Sequence, residues 1–132
     1  MSRTESVATQ LELVIPADHP HVRVARLTAT GLGALLGLDV DALDELRLVV
    51  DEACSVLLEC ANPSADQPDR LAVTFRHANA TVRIRVERSH ADMVAAPSEI
   101  SEAILDTLCD RWCLMTRPVV VADVNLSVAP HS

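Results

Sequence analysis

Residues 41–62 read DALDELRLVVDEACSVLLECAN. Leu43, Leu46, Val50, Ala53, Leu57 and Ala61 recur there at intervals of three and four, which lines one face of an α-helix with a stripe wide enough to bury against a sheet. Asp39 or Asp41 is placed to cap this helix, Asp44 and Glu45 sit near its positive N-terminal end, and Asn62 with Pro63 should stop it. On the N-terminal side, Leu11, Leu13 and Ile15 alternate with Glu12 and Val14 as in a strand with one buried face, ended by Pro16. After a PADHP turn, His21 to Leu36 has helical spacing, weakened by Gly31 and Gly33, with Gly37 as C-cap.

On the C-terminal side, the polar loop PSADQPD leads to two alternating runs, Arg70 to His77 and Thr81 to Arg88, joined by a short turn as a β-hairpin. A helix capped by Ser98 is predicted to run to about Arg111, with Ile100, Ile104, Leu105 and Leu108 facing inward. Trp112 to Thr116 and Val119 to Val128 form a second hairpin turned near Arg117 and Pro118. The order is strand, helix, helix, hairpin, helix, hairpin. It predicts an α+β two-layer sandwich: a mixed, mostly antiparallel sheet of about five strands, covered on one face by three helices. Residues 9–128 form the single domain, with disordered tails at 1–8 and 129–132.

Apolar residues make 49% of the chain while Phe, Tyr and Trp make 2%, so the core must be built from Leu, Val, Ile and Ala. A net charge of −8 repels nucleic-acid phosphates and anionic lipids, so no direct DNA or membrane binding is expected. No stretch is long and apolar enough to span a bilayer and no secretory signal opens the chain, which points to the cytoplasm. All 11 cationic side chains are Arg, whose planar fork suits carboxylates on a partner. Cys54, Cys60, Cys109 and Cys113 are expected to pack as small hydrophobes in a reducing compartment. Cys109 and Cys113 lie four apart on the predicted helix, but a structural zinc site takes four ligands in paired short spacings, so no metal is expected.

ELRLVVDEAC at 45–54, together with the element order, resembles the anti-sigma factor and serine-kinase family typified by RsbW and SpoIIAB. These belong to the superfamily of gyrase, heat-shock chaperone and histidine-kinase ATPases. The resemblance places the glutamate that handles the attacking group at Glu52, and puts Val56 where the family's magnesium-binding asparagine stands. A branched alkyl group cannot ligate a hard cation. The family's Asp-x-Gly-x-Gly is replaced by ERSHAD at 87–92 and its glycine-bearing lid by MVAAPSEIS at 93–101, while the only glycines are Gly31, Gly33 and Gly37. The chain resembles a degenerate actinobacterial branch, which implies no cofactor, no kinase or other enzymatic activity, and Glu52 as a vestigial catalytic candidate. An acidic residue in an amphipathic helix otherwise sits on its solvated face.

What the family resemblance implies instead is sequestration of an alternative sigma factor, of stress or developmental type, by a homodimer, with release by partner switching to a STAS-type anti-anti-sigma protein. Arg26, 26 residues before Glu52, matches the sigma-contacting arginine, and Arg23 matches it under a small slip. Either arginine otherwise snorkels over apolar neighbours on a solvated helix face. Two other functions stay open: a protein-serine kinase with residual ATP binding, and a sensor of a small ligand such as a signalling nucleotide, contacted by Arg83, Arg85 and Arg88.

Overall fold

The two hydrophobic periods of the sequence become two layers in the structure, a computed structural model that describes residues 9–60, 68–90, 96–115 and 119–125. Strands β1 (Thr9–Pro16), β2 (Arg70–Ala78), β3 (Thr81–Arg88), β4 (Arg111–Met115) and β5 (Val119–Asn125) form one sheet. Helices α1 (His19–Leu35), α2 (Val40–Leu58) and α3 (Glu99–Leu108) pack on one side of it. The strand order is β1-β2-β3-β5-β4 and every neighbouring pair is antiparallel, so the sheet is not mixed. The α+β two-layer architecture is otherwise as expected. The tails, Ala61, Asn62, Pro63, the turn at Arg117 and Pro118, and the end of the last strand lie outside the described residues.

The interior is aliphatic, as the composition requires. Leu71, Val73 and Phe75 of β2, Val82, Ile84 and Val86 of β3 and Val120, Ala122 and Val124 of β5 point to the helices. Against them α2 buries Leu46, Val50, Ala53 and Leu57 of the predicted stripe, and also Val49, Cys54 and Val56. Gly33 lets α1 and α2 close together, because a Cβ there would collide with the Leu43 side chain.

Element ends follow local capping, with three departures from the sequence reading. Helix α1 starts at His19 rather than His21, because the Asp18 carboxylate accepts from the His21 N–H at 3.0 Å and Pro20 is harmless in a first turn. Helix α3, capped by Ser98 through the Ser101 N–H at 3.1 Å, stops at Leu108, and Arg111 already belongs to β4. Cys109 and Cys113 therefore share no helix face, and Ile100, expected to point inward, is exposed in the first turn of α3. Helix α2 begins after Asp39 but ends at Leu58, short of Asn62, for a tertiary reason given below. Gly37 follows α1 with φ of 77°, the left-handed conformation that glycine adopts freely.

The β2–β3 turn places both Asn79 and Ala80 at positive φ, 55° and 65°, the pattern of a type I′ turn. Asparagine tolerates this region and alanine does not. Ala80→Gly should therefore stabilise the chain by about 0.5–1 kcal/mol, read as a higher urea midpoint, since relief of the Cβ clash outweighs glycine's extra chain entropy. A lower midpoint would show that the turn is not strained.

Candidate functional site

Three surfaces carry the residues singled out from the sequence. The first lies between α2 and α3. Glu52 is partly buried, and its Oε1 accepts from the Ser101 hydroxyl at 2.9 Å, while Ser98 Oγ donates to Ser101 Oγ at 3.1 Å. A chain of two hydroxyls thus fastens the first turn of α3 to α2. One turn along, Val56 is 1% exposed and sits in the core as a hydrocarbon. The nucleotide and magnesium that this fold family implies meet one carboxylate, already engaged by Ser101, and no oxygen at Val56. Among the described residues no cluster of three or more His, Cys, Asp or Glu is arranged to hold a metal. The described residues do not fit magnesium held in the family's manner. The stretch at 91–95, where the nucleotide-contacting motif would continue, lies outside them.

The second surface is the exposed side of α1. Arg26 does not reach outward alone, because its Nη1 pairs with the Asp51 carboxylate on α2. Arg23 is exposed. Beside it Val24, Leu27 and Leu35 form a helical stripe facing away from the core, with Leu27 63% and Leu35 73% exposed. On α2, Val40 at its start, 71% exposed, and Leu48 are also exposed apolar residues. In the sequence Leu27 and Leu35 are apolar positions of this helix just as the buried Val22, Ala25 and Leu32 are. Their spacing alone could not decide, because α1 has apolar residues on both sides.

The third surface is the face of the sheet that no helix covers. Arg83 and Arg85 lie on it, since Val82, Ile84 and Val86 occupy the other face. Arg83 grips Asp123 of β5 through Nε at 2.8 Å and Nη2 at 3.1 Å, and Arg85 Nη1 donates to Glu87 at 3.0 Å. The Arg83 guanidinium holds the Asp123 carboxyl below its ordinary value of 3.8. Stability from that pair is complete above the ordinary value and is lost as pH falls through the lower folded-state one.

Arg88 does not join Arg83 and Arg85 as a ligand contact. Its position matches Val82, Ile84 and Val86 in parity, so it points to the helix side and is 8% exposed. There Nε donates to Asp69 at 2.7 Å, and Nη1 donates to the backbone carbonyls of Leu57 at 2.7 Å and Cys60 at 2.9 Å. A cation on the last carbonyls of α2 completes the helix end and favours its negative pole, which is why the helix stops at Leu58. Asp69 also accepts from the His90 N–H at 3.1 Å, so one ion pair ties α2, β2 and the start of the loop after β3.

Burial separates the cysteines. It pushes the Cys54 thiol up to about 12, with Asp51 nearby adding to the effect, and Cys109 up to about 11, with Asp110 adding. Both stay protonated at neutral pH. Cys113 alone among the four is exposed, on the open sheet face.

Five antiparallel strands under three helices, with an acidic residue of the second helix turned toward the third, make up the α+β layering of the chain. The chain belongs to the histidine kinase-like ATPase domain family, whose sequence profile matches residues 15–103. It is 33% identical over 100 residues to the anti-sigma-F factor RsbW of Mycobacterium tuberculosis (strain CDC 1551 / Oshkosh), covering 76% of this chain and 58% of that protein. Against the serine-protein kinase RsbW of Bacillus licheniformis it is 31% identical over 68 residues, which is 52% of this chain and 42% of the kinase. The serine-protein kinase RsbW of Bacillus subtilis (strain 168) is 33% identical over 48 residues, covering 36% and 30%. The chain thus spans less than two thirds of the length of these relatives.

These relatives correct the expectation that the chain is not an enzyme. Proteins named as serine-protein kinases are among its matches, so the family carries kinase activity, and Val56 with the missing glycines does not establish a loss here.

The buried Arg88 cluster gives a direct prediction. Arg88→Met removes the donor that Asp69 and the Leu57 and Cys60 carbonyls share and should cost about 3–5 kcal/mol in urea unfolding. Arg85→Met, on the open face, should change stability by no more than about 0.5 kcal/mol. Equal losses at the two positions would refute the tertiary cap.

Proposed function

We propose that this chain is an anti-sigma factor of the RsbW type, which holds an alternative sigma factor of stress or developmental type and blocks it from RNA polymerase. The carrying observation is the outward apolar stripe Val24, Leu27 and Leu35 on α1, next to Arg23, with Val40 and Leu48 of α2 also exposed. Large apolar side chains grouped on one side of a soluble helix mark a protein interface. The name of the M. tuberculosis relative supports the choice of partner. The net charge of −8 favours encounter with the basic, DNA-reading regions of a sigma factor. A STAS-type anti-anti-sigma protein competes for the same face and releases the sigma factor by mass action. The protein works in the cytoplasm as a homodimer, with the edge strand β1 the place where a second copy pairs. Among the described residues no helix is long and apolar enough to cross a membrane.

Arg26 enters this reading through Asp51. The pair is about one-third exposed on each side, so its loss costs at most about 1 kcal/mol of stability. Leu27→Asp should weaken sigma binding at least tenfold in a titration while leaving the melting temperature within a few degrees, since Leu27 makes no core contact. Arg26→Ala should weaken binding more than Asp51→Ala if the guanidinium reaches the partner, with Arg23→Ala as comparison. Undiminished affinity of Leu27→Asp would remove α1 from the interface.

A second reading is favoured by the relatives named serine-protein kinases and by Glu52 on the family's helix. In it the chain also transfers phosphate from ATP to a serine of the STAS-type partner. Incubation with magnesium and labelled ATP tests this: label on the partner that disappears in Glu52→Gln supports it, and no label with the unaltered chain contradicts it.

A further inference from the structure

The open face of the sheet carries a graded arrangement that the sigma-binding reading leaves unused. Strand register sets its residues in rows across the sheet. One row runs Gln10, Arg76, Arg83, Asp123, Arg111, and the next runs Glu12, Thr74, Arg85, Val121, Cys113. From β2 to β4 this face thus holds Arg76, Arg83, Arg85 and Arg111 against the two carboxylates Asp123 and Glu87. A protein of net charge −8 has concentrated cations on one side of one layer.

Between β3, β5 and β4 the face is hollowed into a groove of about 410 Å³. Ligand sites are of this order, from about 300 Å³ upward, and combine an apolar lining with a few convergent polar groups. Val121, Cys113 and Met115 supply the apolar floor, and Arg83, Arg85 and Arg111 supply the walls. These guanidiniums are not used up by their partners. Arg83 spends Nε and Nη2 on Asp123, Arg85 spends Nη1 on Glu87, and Arg111 stands 3.8 Å from Asp123 with its side chain 80% exposed. A guanidinium has five N–H donors, so each wall keeps donors free for a second acceptor. The carboxylate partners meanwhile hold the forks in place, which lowers the cost of ordering them around a ligand.

We propose that this groove binds a small planar anion: a carboxylate or phosphate group taken by the arginine forks, on an aromatic ring laid over the Val121, Cys113 and Met115 floor. The site is on the opposite side of the sheet from the Glu52 helix, so it is separate from the family's nucleotide cavity. Of the residues suggested by sequence, Arg83 and Arg85 belong to it and Arg88 does not.

Cys113 provides the readout, because it lies in the groove floor while Cys54, Cys60 and Cys109 are buried. The full chain is alkylated with iodoacetamide, a neutral reagent insensitive to the local field, and the rate at Cys113 is followed by peptide mass spectrometry. Naphthalene-2-carboxylate and 2-naphthyl phosphate are the probes, with acetate and inorganic phosphate as anions lacking the ring. At millimolar concentration at least one naphthyl probe should slow alkylation of Cys113 fivefold or more, the stronger of the two naming the head group. The ringless anions should slow it less than twofold. Arg85→Gln and Arg111→Gln, both on the open face, should each reduce the protection without altering the melting temperature. Three results overturn the proposal: no slowing by either naphthyl probe, equal slowing by the ringless anions, or protection that rises with protein concentration alone, which would give this face to a second copy of the chain.

Discussion

The buried guanidinium of Arg88 is the contact on which the layered arrangement depends. A charge 8% exposed is tolerable only when it is paired and hydrogen-bonded, and here Asp69 accepts from Nε and the Leu57 and Cys60 carbonyls accept from Nη1. The consequence is geometric. Helix α2 ends where the sheet dictates, and the segment leading into β2 and the loop after β3 are held to the same point. Helix α2 is in turn the hub for the other helices, through Arg26 to Asp51 for α1 and Ser101 to Glu52 for α3.

This hub gives Glu52 a structural duty independent of any chemistry. Its carboxylate accepts from the Ser101 hydroxyl and so helps to fix the start of α3. The position most like the family's catalytic residue is therefore also a joint between elements.

Much of the fold was legible in the sequence because it rests on local periodicity. The 3.6-residue recurrence of Leu46, Val50, Ala53 and Leu57 and the strict alternation of 71–75 and 82–86 fixed the layers and their inward faces. What escaped was tertiary. The Arg26 to Asp51 pair joins residues 25 apart, the end of α2 is set by a residue on β3, and Ile100 has helical spacing yet stays exposed. The burial of Arg88 is legible in the sequence, since its parity with Val82, Ile84 and Val86 places it on the buried face. The exposed stripe on α1 was hidden for the opposite reason: Val22, Ala25, Ala29 and Leu32 satisfy the core, and only the packing shows that Leu27 and Leu35 are surplus to it.

That surplus is where function concentrates in this account, and hydrogen exchange on the full chain examines it most directly. Each alternative sigma factor of the host is added in turn, and amide protection is mapped for the one that binds. Slowed exchange is expected along α1, from Arg23 to Leu35, and at the start of α2, with the strands of the open sheet face unchanged. Protection confined to the sheet, or no binding by any of these sigma factors, would contradict it.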